Sequence, residues 1–131
     1  TARLAVDQNL VDSINSNPKS TWTAAINPRF ENMPLENARK LMGTRLGMKN
    51  NLPTITETLE AAPSSFDSRK AWPGCIGPIL NQGDCGSCWA FGAAESLSDR
   101  RCIEKNTPFL QLAALDLVEC DGWDGGCEGG E

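Results

Sequence analysis

Apolar residues in the first third of the chain recur at helical spacings. Val6, Leu10, Val11 and Ile14 fall three and four residues apart, which predicts an amphipathic helix that Pro18 stops near Asn17. Trp22, Ile26 and Phe30 keep a spacing of four, but Pro28 interrupts any regular helix through them, so they read as loop-borne anchors that dock on another surface. Pro34 suits a helix start, Leu35, Ala38 and Leu41 form one apolar stripe, and Gly43 offers a left-handed stop. From Thr44 to Pro63 the periodicity fades into Gly47, Asn50, Asn51, Pro53 and small polar residues, an extended linker in which a proteolytic cut is sterically easy.

The later part is patterned differently. Trp72-Pro73-Gly74-Cys75 reads as a turn, and the Gly-rich run Gln82-Gly83-Asp84-Cys85-Gly86-Ser87 leads into Cys88, Trp89 and a helix reaching about Arg101, with Ala93, Ala94 and Leu97 expected on its buried side. Leu112 to Val118 is a second short apolar segment. Asp121 to Gly130 is a Gly-rich loop.

Charge and cysteine divide the chain near Ala62. Residues 1–62 carry seven Lys or Arg and six Asp or Glu, whereas residues 63–131 carry five and eleven. An acidic half without a basic patch argues against nucleic-acid binding, which needs Lys and Arg against phosphates. No apolar run approaches the roughly 18 residues of a membrane span, and the first residues lack the layout of a secretory signal. All six cysteines lie between Cys75 and Cys127, which points to an oxidising compartment and a stapled segment with a small core. The chain contains no histidine, so no Ser-His or Cys-His pair can be assembled from its residues alone.

Three chemistries fit a Cys85-Gly86-Ser87-Cys88 run. A thioredoxin-type redox pair requires a βαβ setting, which the stretch from Trp72 to Asn81, broken by prolines and glycines, does not supply. A structural zinc site would need Cys120 and Cys127 as the second pair, but they are spaced too widely and no histidine can substitute. A nucleophile is the third: at the first turn of a helix, Cys88 would face converging backbone N–H groups and the positive end of the helix dipole, which favour thiolate over thiol. Cys-Gly-Ser-Cys-Trp, taken whole, is the local signature of papain- and cathepsin-type nucleophiles.

On these residues the chain resembles the papain family of cysteine peptidases, and within it the cathepsin B-like precursors. Pro63 to Arg69, Trp72 to Cys75, Gln82 to Gly92, Ser98 to Ile103 and Gly126 to Gly130 resemble, in order, the start of the mature enzyme. Thr21 to Ala24, Asn27 to Phe30 and Leu41 to Thr44 resemble its propeptide. The resemblance implies an α+β papain-like fold, of which the chain covers an inhibitory propeptide and linker (1–62) and part of the mainly helical left domain (63–131), without the right domain. It implies Cys88 as nucleophile and Gln82 as the side-chain amide of an oxyanion hole, with Gly86, Gly129 and Gly130 bordering the substrate cleft. It pairs Cys75 with Cys102 and Cys85 with Cys127, and leaves Cys120 unpaired.

The catalytic histidine and asparagine of the family are expected roughly 130 to 150 residues after the nucleophile, beyond Glu131. The implied activity is hydrolysis of peptide bonds through a thioester on Cys88, without metal or other cofactor, in a lysosome, a vacuole or outside the cell. Its partners would be protein and peptide substrates, the chain's own propeptide bound in the cleft near Gly43, and the missing carboxy-terminal part of the same precursor. Departures from the family pattern are Met42 for a frequent cysteine, Glu128 for a frequent asparagine, and a single cysteine at Cys120 where two are common. A non-catalytic papain-like binding or structural protein is the alternative.

Overall fold

A computed structural model describes residues 3–46, 61 and 63–131. The chain divides into two compact units, residues 1–42 and 43–131. Most of the linker expected between Thr44 and Pro63, with its cleavable stretch, lies outside the described residues; Thr44 and Arg45 do not, and they pair with the second unit's own glycine loop.

In the first unit, helix α1 (Gln8–Asn15) starts where the Asp7 carboxylate accepts the Asn9 N–H at 2.9 Å. It ends before Pro18, as its periodicity predicts. Asn15 then clamps the return of the chain: its amide donates to the Ala24 carbonyl at 3.0 Å and its carbonyl accepts the Ala24 N–H at 2.8 Å, which keeps that buried backbone satisfied. A turn of 3-10 helix spans Pro28–Phe30 and helix α2 spans Leu35–Lys40. An antiparallel bridge between Leu4 and Pro34 joins the ends, through Ala5 N to Met33 O and Leu35 N to Arg3 O, both 2.8 Å. Ala24 and Ala38 are buried, while Trp22 is 61% exposed. Gly43 does not stop α2 in a left-handed conformation, because Leu41 caps the helix in a right-handed one and Gly43 has no positive φ.

The second unit is organised by the long helix that begins at Cys88. A short helix α3 (Ser68–Ala71) precedes it, capped by Asp67, which also takes two hydrogen bonds from Arg69, each 3.0 Å. Helix α4 runs from Cys88 to Lys105, beyond the expected end at Arg101, and stops where Asn106 turns left-handed (φ 49°). The added turn buries Cys102 against Cys75, to which it is disulfide-bonded. Helix α5 (Ala114–Cys120) packs on α4, and a 3-10 turn, Gly126–Glu128, closes the glycine loop.

The buried stripe of α4 differs from the one read in the sequence. Ala90, Ala94, Ser98 and Cys102 face inward, whereas Leu97 is 58% exposed and Ala93 is exposed too. Small residues four apart allow close approach, and Ser98, fully buried, belongs to that stripe because it is satisfied. Its hydroxyl donates to Ala94 O at 2.6 Å and accepts the Leu112 N–H at 2.9 Å. The core gathers Trp89, Ala90, Ala94 and Ala114, with Phe91, Leu112, Leu117 and Val118 packed on it. Among the described residues the only β pairing is two isolated bridges, so the unit is helical and loop-built. No helix among them is long and apolar enough to cross a membrane.

Candidate active site

Three segments of the second unit meet around Cys88: the turn before α4, the glycine loop after α5, and the strip Gly43–Arg45. The disulfide Cys85–Cys127 ties the first two together, and the Gly86 N–H donates to Cys127 O at 3.1 Å. Trp89, buried beneath them, donates its indole N–H to Gly126 O at 3.0 Å. Both restraints hold the glycine loop at the amino-terminal end of α4.

Cys88 is the first residue of α4 and carries a free, partly buried thiol. Its pKa is held below the ordinary thiol value, chiefly by the Thr44 hydroxyl, whose Oγ1 lies 3.6 Å from Sγ. Burial opposes this, while the backbone N–H groups of Gly43, Trp89 and Cys88 add to it. The helix start thus supplies the donors that the sequence position of Cys88 implies. Cys120, the other free cysteine, is exposed.

Gln82 lies in the turn before α4, its amide Nε2 donating to Cys85 O at 2.8 Å. The structure therefore brings Gln82 to the turn that precedes the thiol. Gly86, Gly129 and Gly130 converge here, and close approaches require glycine at Gly43, Gly129 and Gly130. A Cβ on Gly43 would run into the Gly86 carbonyl, and a Cβ on Gly129, where φ is 109°, would come within 2.6 Å of Gly43 O. On Gly130 it would strike the Trp89 indole at 2.5 Å and the Asp124 carboxyl carbon at 2.6 Å.

The strip itself lies against the glycine loop through one isolated bridge. Gly130 N–H donates to Gly43 O at 2.8 Å and Arg45 N–H donates to Gly130 O at 2.9 Å, so Thr44 sits opposite Gly130 in a parallel bridge. This is how an extended peptide gains main-chain hydrogen bonds from an exposed edge. Sequence reading placed Gly43 near the thiol but did not single out Thr44, whose hydroxyl makes the direct contact. A lone threonine carries no local signal. Chemically, the arrangement presents a thiol biased toward thiolate, an edge that binds an extended peptide, and a segment of the same chain already lying on it.

Comparison with known proteins identifies two matched regions. Residues 62–131 match the family model described as papain family cysteine protease, and residues 6–47 match that of the peptidase family C1 propeptide. A cathepsin B-like cysteine proteinase of Schistosoma japonicum is 42% identical over 132 aligned residues, covering 92% of this chain and 38% of that protein. Cathepsin B of Dictyostelium discoideum is 54% identical over 71 residues, covering 53% of this chain and 22% of that protein. Among solved structures, proCathepsin B S9 from Trypanosoma congolense superposes with a TM-score of 0.83 at 31% identity, covering 98% of this chain and 46% of the other. The chain thus spans less than half the length of these relatives.

Proposed function

Because the chain belongs to the papain family of cysteine proteases, with the helical elements of a papain-like fold, we propose that it is the zymogen of a cathepsin B-like cysteine endopeptidase. Residues 1–62 serve in this reading as inhibitory prosegment and linker, and residues 63–131 as the amino-terminal part of the peptidase domain. The observation that carries it is the Cys88 thiol at the start of α4, biased toward thiolate and covered by Gly43–Arg45 of the same chain.

The Cys88 thiolate attacks the carbonyl carbon of a peptide bond, forming a C–S bond and pushing charge onto the carbonyl oxygen. The backbone N–H of Cys88 and the Gln82 amide stabilise that oxyanion; one such donor is worth about 3 to 4 kcal/mol in acyl transfer. The C–N bond then breaks, the amine leaves with a proton, and water hydrolyses the thioester. No histidine is present to move those protons, so that group comes from residues outside this chain. The edge at Gly86, Gly129 and Gly130 binds the extended substrate once the strip has left it. Substrates are peptides and proteins, and the two disulfides support a lysosomal, vacuolar or secreted setting.

The test is turnover of fluorogenic peptides by the full-length protein after prosegment release, and by the 131-residue chain with its prosegment removed. Hydrolysis lost on Cys88→Ala, with no turnover by the isolated chain, is expected. A folded full-length protein that cleaves nothing would instead favour a non-catalytic binding role.

A further inference from the structure

Building on the peptidase reading, we propose that Asp124 is a positioning residue of the cleft edge. Its carboxylate holds the peptide group between Gly130 and Glu131, so that the Gly130 carbonyl accepts a main-chain N–H of the extended chain lying there, first the prosegment and then the substrate.

The edge consists of two successive peptide groups. The first, between Gly129 and Gly130, donates its N–H to Gly43 O at 2.8 Å; the second, between Gly130 and Glu131, accepts the Arg45 N–H on its carbonyl at 2.9 Å. Both groups are trans, hence planar with N–H and C=O pointing opposite ways, so a partner at the back fixes what the front presents. Each group has such a partner. The Gly129 carbonyl accepts the Gly125 N–H at 2.9 Å, and the Glu131 N–H donates to Asp124 Oδ1 at 3.2 Å. Neighbouring residues of one loop thus back the donor and the acceptor of the edge.

The two backings differ in kind. Gly125 acts through its main chain and Asp124 through its side chain, so only the carbonyl half of the edge depends on side-chain chemistry. A Cβ on Gly130 would lie 2.6 Å from the Asp124 carboxyl carbon and 2.5 Å from Trp89 Cδ2, so glycine there is what lets the carboxylate come so close. Trp89, buried and tied to Gly126 O at 3.0 Å, gives Gly130 a fixed second neighbour. A carboxylate accepting the N–H also polarises the amide and strengthens its carbonyl as an acceptor, more than a neutral oxygen would. The bond from Glu131 to Asp124 is open to solvent, which sets the expected scale at that of one exchanged hydrogen bond, about 3- to 5-fold.

Two experiments decide it. In the 131-residue chain, iodoacetamide alkylation of Cys88 is timed against that of Cys120 on the high-pH plateau. Asp124→Ala should speed Cys88 by about 3- to 5-fold, and Asp124→Asn, which keeps an accepting oxygen, by less. Arg45→Pro removes the N–H that Gly130 O accepts, so adding Asp124→Ala to it should change nothing further. A loop that is merely loosened would speed Cys88 alike in both backgrounds; that result, or no effect of Asp124→Ala, would overturn the assignment. In the full-length protein after prosegment release, each backbone amide preceding the scissile bond of a peptide is replaced in turn by an ester, which has no N–H to donate. On the all-amide peptide Asp124→Ala should raise KM about 3- to 5-fold with kcat within about twofold, and it should have no effect when the ester occupies the one position facing Gly130 O. A loss carried by kcat, or one that persists in every ester, would overturn the substrate role while the peptidase reading stood. A full-length protein that cleaves nothing would remove that reading and the substrate role together, the alkylation cycle still deciding the prosegment role.

Discussion

Replacing Gly43 by alanine should uncover Cys88. The new Cβ would collide with the Gly86 carbonyl, which is main chain and cannot rotate aside. Nor can Gly86 retreat easily, because its N–H is bonded to Cys127 O at 3.1 Å and its neighbour Cys85 is disulfide-linked to Cys127. The strip must lift instead, losing the Gly130 N–H to Gly43 O bond and the Arg45 N–H to Gly130 O bond. At a net of about 1 kcal/mol for each bond, docking weakens by about 2 kcal/mol, or roughly 30-fold in the open population. The assay is the rate of iodoacetamide alkylation of Cys88 in the 131-residue chain, read by mass spectrometry of the tryptic peptide, with exposed Cys120 as internal reference. Lifting the strip also withdraws the Thr44 hydroxyl and so raises the thiol pKa, which opposes the gain at neutral pH. The plateau of the rate at high pH isolates access from ionisation. A plateau ratio of Cys88 to Cys120 that rises less than about twofold would refute the close-approach argument.

Thr44→Val keeps the shape of the side chain but removes the hydroxyl beside Sγ, so the midpoint of the Cys88 alkylation profile should move to higher pH; an unmoved midpoint would deny Thr44 its role. Because the docked strip lowers the thiol pKa, its hold is strongest above the ordinary thiol range and is lost as pH falls through the lowered value, so acidification should loosen it. Ser98→Ala leaves the Leu112 N–H without its acceptor in a buried site, and urea unfolding should report a loss of about 1 to 3 kcal/mol. Replacing both Cys85 and Cys127 by serine opens a loop spanning a sequence separation of 42, worth about 4 kcal/mol by chain entropy, measurable in the same urea titration.

What was legible in the sequence was what depends on local order. The glycine-rich turn followed by an apolar repeat placed Cys88 at a helix start, and Pro18 and Pro34 bracketed the elements around them. The cysteine pairs Cys75–Cys102 and Cys85–Cys127 came only from family likeness, since six cysteines by themselves leave the connectivity open. The inward face of α4 is not legible from hydrophobicity because size and hydrogen bonding decide it: Leu97 lies outward, and Ser98 is buried through hydrogen bonds to partners on two segments, one of them Leu112 N–H. In sequence Gly43 reads as a helix stop and as part of the segment near the thiol; the structure requires glycine there for the approach of a distant carbonyl. Contacts such as Thr44 with Cys88 join residues far apart in sequence and leave no periodic trace.

The central claim is a covalent one, that peptide hydrolysis passes through an acyl group on the Cys88 sulfur. Its most direct measurement is acid quenching of the full-length protein, freed of its prosegment, during turnover of a peptide ester, followed by mass analysis of the fragment containing Cys88. The expected result is the acyl mass on Cys88, absent from the Cys88→Ala variant and cleared as substrate is exhausted. Steady hydrolysis with no adduct on that fragment, and unchanged in Cys88→Ala, would contradict the account.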